Sequence, residues 1–466
     1  MKPQLQGKNI INRVAGILPE VPKPTRKPGL TEKLIWTGLA VVLYLVMAQI
    51  PLYKVITSTQ SALFFYQIIF AANIGTLMTL GIGPIVTAGL ITQVLVGSDL
   101  LRLDLSNAED QKLFASLTKV LTFVFIIVEA VFYVVSGVIG TVGSPTIALI
   151  VIIQLIVASL IVFLLDQMIQ KGWGLGSGIS LFILAGISMQ IMLDVFSPIP
   201  VSGQFFGYIP FAINESIHGI FSSLVSRASS YPSLIGFIST IIFILIILYL
   251  EGIRIEIPIS SSKFRGYSAT YPIKLLYVSN IPVILVSALI ADAQFFFLIL
   301  AKNASLVPHL SWLGTEVNGT ITGGLLYYIT SPPPYPAAIS HPIQVVTYSA
   351  FVIVLSVVFA RMWVDVSGMS AEKAAENLLG SDLQVPGFRT TRSSVGTLLQ
   401  RYIPTVTLFS GLLIGVLAAT SSILDVFGTG IGLLLAIDIS ISYYQMLAQE
   451  QMASMIPGLG GILGEK

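Results

Sequence analysis

The sequence predicts an all-α integral membrane protein, with about ten transmembrane helices in two inverted, pseudo-symmetric halves of five and a short re-entrant helix between the first two spans. Three observations predict it. Of 466 residues, 55% are hydrophobic and only 10% are charged, and the mean hydropathy is +0.89; soluble domains carry about 25% charged residues. Ten apolar stretches approach the roughly 20 residues that a helix needs to cross the hydrocarbon core. With the N-terminus placed in the cytosol, 21 of the 24 Lys and Arg residues fall on the inner side, leaving only Lys54, Arg227 and Lys302 outside. A miscounted span would scramble that asymmetry.

The spans lie near 33–52, 74–97, 113–139, 146–169, 176–196, 233–252, 274–299, 342–363, 403–423 and 430–449. Residues 56–70 are too polar at Thr57-Ser-Thr-Gln-Ser61 to sit in lipid and read as the re-entrant piece. The chain then divides into a cytosolic N-terminal segment (1–32), a first half (33–196), an external hinge loop (197–232) and a second half (233–466). The second half carries cytosolic loops at 252–273 and 363–401. The N-terminal segment is basic and proline-containing, with no short apolar core and cleavage site, so no removable signal peptide is expected. Because five is odd, the second half runs with the opposite orientation to the first, the geometry of an inverted repeat.

The second span carries Gly81-Ile-Gly-Pro84 near its middle. Proline removes a backbone donor and clashes with the preceding turn, so a break is expected there. Loosened backbone at membrane depth survives only where protein or a water-filled cavity covers it. The seventh span carries a local counterpart, Ser279-Asn-Ile-Pro282. Two readings stand: a pair of kinked structural helices, or the walls of a pathway at the interface of the halves.

Much chemistry is excluded. Without cysteine there is no disulfide, thiolate nucleophile or thiolate-bound metal. His218, His309 and His341 fall in or beside outer loops and form no metal pair at helical spacing. No phosphate-binding Gly-x-x-x-x-Gly-Lys-[Ser/Thr] loop is present, and no serine expected on the inner side has a histidine there to act as base. An enzyme is therefore not expected, nor any cofactor or metal. The net charge of +2 does not by itself suggest nucleic-acid binding. Glu129, Asp292 and Asp438 are the carboxylates read as intramembrane. Such groups serve as ion relays or hydrogen-bond a neighbouring helix, so a coupled transporter stands as the rival of a passive channel. Asn214-Glu-Ser, Asn303-Ala-Ser and Asn318-Gly-Thr match the glycosylation acceptor pattern, all in outer loops.

Four motifs carry a family resemblance. Gly81-Ile-Gly-Pro-Ile-Val-Thr-Ala-Gly89, Gly174-Leu-Gly-Ser-Gly-Ile-Ser-Leu-Phe182, Tyr271-Pro-Ile-Lys-Leu-Leu-Tyr-Val-Ser-Asn-Ile-Pro282 and Arg401-Tyr-Ile-Pro404 occur in order from about Lys33 to the end. They resemble SecY, the pore subunit of the protein-conducting channel, and look more like its archaeal and eukaryotic branch than its bacterial one.

The resemblance implies an hourglass closed at its waist by a ring of apolar side chains, here Ile82, Val86, Ile179, Ile183, Ile284 and Leu435. It implies that residues 56–70 are the plug of the outer funnel. It also implies a lateral gate between spans two and three on one side and seven and eight on the other. The gate's polar cluster maps onto Thr87, Glu129 and Asp292, with Asn280 beside the Pro282 kink. Asp292 departs from the family, where Asn is common, and two adjacent carboxylates would share one proton, which makes gate opening pH-sensitive. The two cytosolic loops would dock a ribosome, with Arg265 and Arg389 as the expected phosphate contacts. The implied partners are a single-span SecE-type (gamma) subunit, a small beta-type subunit, a ribosome or other motor, a nascent polypeptide with its signal sequence, and membrane lipid. The implied location is the cell membrane, multi-pass, with both termini cytosolic.

Overall fold

Helix start signals and apolar runs agree along most of the chain. Among the described residues of the computed structural model these runs correspond to ten longer helices, α1 (Leu30–Met47), α2 (Gly83–Gly97), α3 (Ala108–Val135), α4 (Pro145–Met168), α5 (Gly178–Phe196), α6 (Leu234–Gly252), α7 (Ile281–Ala301), α8 (Pro342–Val366), α9 (Arg392–Ile423) and α10 (Gly430–Met455), besides shorter ones in the loops. The structure describes residues 11–455 except 57–70, 99, 102, 104–106, 136–138, 202, 220–226, 228–230, 262–267, 279–280, 302–310, 318–319, 381–382 and 385–391. Among the described residues eight helices are long and apolar enough to cross a membrane, and α2 is a shorter apolar helix; α7 spans 21 residues.

α2 and α7 are the helices at the two marked prolines, and they correct the expected kink. No helix runs into Pro84 from residues 71–82. Residues 71–82 are irregular, and α2 begins at Gly83 with Pro84 in its first turn. Proline is favoured there because its missing N–H would have been unpaired anyway. Turn chemistry claims the preceding residues instead. The Thr79 hydroxyl accepts from the Gly75 N–H at 3.0 Å, and the Asn73 side chain donates to the Ala48 carbonyl at 2.7 Å. Gly81 sits at φ 53°, open to glycine at little cost. At 1.5 Å per residue the 15 residues of α2 span about 22 Å, less than the roughly 30 Å hydrocarbon core. α7 likewise starts at Ile281, with Pro282 next.

The halves α1–α5 and α6–α10 meet along two seams. On one, α5 and α1 pack against α10; on the other, α2 packs against α7 and α8. The first seam is tied on the inner side by an ion pair between Lys33 of α1 and Glu450 of α10. Tyr443 of α10 also donates to the Ser177 carbonyl, just before α5, at 2.9 Å. On the outer side, Asp194 of α5 accepts from the Gly428 N–H at 3.1 Å, and Thr240 of α6 accepts from the Phe427 N–H at 3.0 Å. Both donors lie in the α9–α10 turn. In the same turn, burial first and the Asp194 charge second push Asp425 up to about 7.

Two regions read as plain loops have structure of their own. In the loop between α6 and α7, strands Arg254–Ser261 and Ser268–Lys274 pair antiparallel, and Leu383–Gln384 from the loop between α8 and α9 adds to that sheet. The helix Ala371–Gly380 packs on the N-terminal extension of α9, which starts well before Pro404. Ile257, Ile273, Ala375, Leu378, Val395 and Leu399 form a second core outside the main bundle cluster. The N-terminal segment is also strapped down. Lys119 of α3, buried, donates to the carbonyls of Ala15 and Leu18 at 2.9 and 3.2 Å and to Glu20 at 2.8 Å. Lys171 also pairs with Glu20. Hydrogen bonds from Lys119 and then Lys171 hold the Glu20 carboxyl down at about 2.

Candidate functional site

The six expected ring residues lie on four helices drawn from both halves. Ile82 enters α2 and Val86 follows one turn later; Ile179 and Ile183 share a face of α5; Ile284 lies on α7 and Leu435 on α10. All six belong to one apolar cluster. Ile82, Ile183 and Leu435 are at most 1% exposed, and Val86, Ile179 and Ile284 pack against it partly buried.

The α5 pair is positioned by a residue that the sequence reading passed over. Asp166, in the last turn of α4, accepts from the Ile179 N–H at 3.0 Å and from the Gln170 amide at 2.9 Å on both oxygens. It thereby satisfies a free donor at the start of α5, as an N-cap would. Gly178 must be glycine, because a Cβ there would lie 2.5 Å from the Asp166 Cα. Asp166 and Asp194 add to Glu129, Asp292 and Asp438 as carboxylates on the spans. The available signal was position: an acid ending one span just before a glycine-rich turn into the next.

The gate seam joins α2 and α3 to α7. The Thr87 hydroxyl donates to Asp292, 3.1 Å from Oδ2 and 3.4 Å from Oδ1. Glu129 of α3 is 2% exposed and interacts electrostatically with Asp292, and its Oε2 has no hydrogen-bond partner among the described residues. One turn outward, Tyr133 stacks on Phe295 with ring centroids 4.3 Å apart, and Phe132 meets Phe296 edge-on at 6.4 Å. Glu129 and Tyr133 therefore face Asp292 and Phe295 in register, an electrostatic pairing followed by an aromatic contact. Asp438 lies half-buried on α10. Asn280, Arg265, Arg389 and residues 57–70 of the expected plug lie outside the described residues.

A family model described as SecY matches residues 76–444, which include every ring and gate position above. The chain belongs to the SecY family. A second model, described as the plug domain of Sec61p, matches residues 42–75 and brackets the expected plug. Among curated SecY relatives, the protein translocase subunit SecY of Sulfolobus acidocaldarius is 41% identical, covering 96% of this chain and 97% of its own. That of Pyrococcus horikoshii is 38% identical, covering 97% and 98%. A solved structure of a protein-conducting channel superposes with a TM-score of 0.83 at 35% identity, covering 96% of this chain and 98% of that one. Sec61 in a canine ribosome–channel complex from the endoplasmic reticulum superposes at 0.80, also at 35% identity and the same coverage. This SecY-family chain is a multi-pass membrane channel subunit and not an enzyme.

Proposed function

We propose that the chain is the central pore-forming subunit of a Sec-type translocase, with Ile82, Val86, Ile179, Ile183, Ile284 and Leu435 as its seal and the Thr87–Glu129–Asp292 seam as its lateral gate. The observation that supports this reading is that the aliphatic residues assigned to the seal on α2, α5, α7 and α10 all belong to, or pack against, one extended apolar cluster that also includes residues of the seam where α2 and α3 meet α7. An apolar constriction resists water and ions by dewetting, yet flexible side chains can part around a polypeptide. A solute transporter would instead need convergent polar ligands at that waist.

An unfolded chain carries polar backbone that lipid cannot satisfy, and a hydrated route through the membrane removes that cost. Sufficiently apolar segments leave sideways through the seam into lipid. No motor is encoded, so a ribosome or other motor drives the polypeptide. The two cytosolic loops sharing one sheet and one core support a docking platform, with Arg265 and Arg389 as the phosphate contacts we assign. Asn280 joins the gate cluster in this reading, and residues 56–70 form the plug. A single-span SecE-type subunit and a small beta-type subunit complete the complex in the cell membrane, with both termini cytosolic.

Joining Thr87→Cys to Asp292→Cys with a short bifunctional reagent should stop signal-sequence insertion, and cleaving the linker should restore it. Insertion at the unlinked rate would remove the gate from the account. Asp292→Asn removes one of the two adjacent carboxylates and should flatten the pH profile of insertion. An unchanged profile would show that no shared proton governs opening.

A further inference from the structure

The loop joining the two gate helices α7 and α8 carries an exposed apolar and aromatic face that the channel reading does not use. Its short helix Gly324–Ile329 begins where the N–H groups of Leu325 and Leu326 donate to the carbonyls of Trp312 and Leu313, at 3.0 and 2.8 Å. The crossing is fixed by glycine on both strands. Gly324 has φ 78°, and a Cβ on it would lie 2.5 Å from the Gly314 Cα; a Cβ on Gly314 would lie 2.6 Å from the Phe297 ring of α7. Trp312 is thereby held beside Leu325.

The same short helix is tied to α8 at a definite depth. Gln344 donates to the Tyr327 carbonyl at 3.0 Å, and the Thr347 hydroxyl donates to the Tyr328 carbonyl, also at 3.0 Å. Thr347 lies five residues beyond Pro342, about 7 Å along the helix axis. At that level the free face of α8 is already apolar, with Ile343 and Val346 67% and 66% exposed. Leu325 and Tyr328, one turn apart, are 52% and 41% exposed, and Trp312 is 68% exposed. Bare water at this level would leave an uncovered apolar stripe running directly out of a membrane span. Amphipathic rings favour the headgroup boundary, where one end is apolar and the other wet.

We infer that Trp312, Leu325 and Tyr328 form an interfacial anchor seated in the outer-leaflet lipid boundary, continuous with the lipid-facing stripe Ile343–Val346 of α8. The anchor is bonded to α8 and packed on Phe297 of α7, so it fixes the depth of the gate helices. This inference rests on the topology and span reading proposed above. The occupant is lipid, because the face continues a face that a spanning helix must present to lipid.

The chain has no cysteine, so single cysteines report cleanly. Leu325→Cys, Tyr328→Cys, Val346→Cys and the exposed Thr315→Cys are labelled with an environment-sensitive fluorophore in the full complex, reconstituted in phosphatidylcholine vesicles. Lipids brominated close to the headgroup should lower emission at 325 and 328 by about half, as at 346. Aqueous iodide should quench the label at 315 at least about threefold more than those at 325 and 328. Iodide quenching at 325 and 328 equal to that at 315 overturns the anchor, as does shielding from iodide without lipid quenching, which would mean that protein covers the face. Absence of lipid quenching at 346 would instead overturn the span reading itself.

Discussion

Exchanging Ile82 and Ile183 for asparagine is expected to make membranes containing the resting channel leak ions, raising the flux by at least about tenfold over the unaltered protein. The two side chains come from different helices of the first half and are fully buried members of the shared cluster. Each amide would bring hydrogen-bonding capacity into a dewetted constriction, and water that enters has partners to stay for. Ile82→Ala with Ile183→Ala removes volume without adding polarity and should give a smaller leak. Conductance in planar bilayers reads both variants. A folded double-asparagine protein with unchanged flux would place the seal elsewhere.

The second large effect concerns Asp166, whose carboxylate holds the backbone N–H of the expected ring residue Ile179. Asp166→Ala strips the start of α5 of its acceptor at Ile179 and leaves the Gln170 amide without its partner. A buried donor left unpaired costs about 1–3 kcal/mol, and loss of a helix cap adds about 1 kcal/mol. Destabilisation of about 2–3 kcal/mol is therefore expected, read as a fall of several degrees in the thermal unfolding of the purified complex. Because the first two turns of α5 carry Ile179 and Ile183, the same variant should leak. Asp166→Asn keeps one acceptor oxygen and should recover about half of the loss. Full stability of Asp166→Ala would show that water or a neighbour replaces the cap.

Hydropathy and the sidedness of Lys and Arg make the ten spans legible, because lipid imposes both constraints on the chain directly. Pro84 and Pro282 were visible but ambiguous. A helix break and a helix start use the same residue, and only the turn bonds of Asn73, Thr76 and Thr79 decide between them. The N-terminal extension of α9 escaped the span ruler because Gln400 and Arg401 make it amphipathic, and its apolar side is buried by Ala371–Gly380. Glu20 meets Lys119 and Lys171 across 99 and 151 residues of chain, a separation at which no local pattern carries information. The ring is the extreme case. Six aliphatic residues in so apolar a chain look like any others, and only the family resemblance singled them out.

The most direct test places one cysteine at Ile82→Cys and another in a polypeptide stalled during translocation. If the apolar cluster is the waist through which the chain passes, the two cysteines crosslink when the stalled segment spans the membrane, and they do not when the substrate is released. No crosslink at any stall length, together with saturable uptake of a small solute, would contradict the channel reading and favour a transporter.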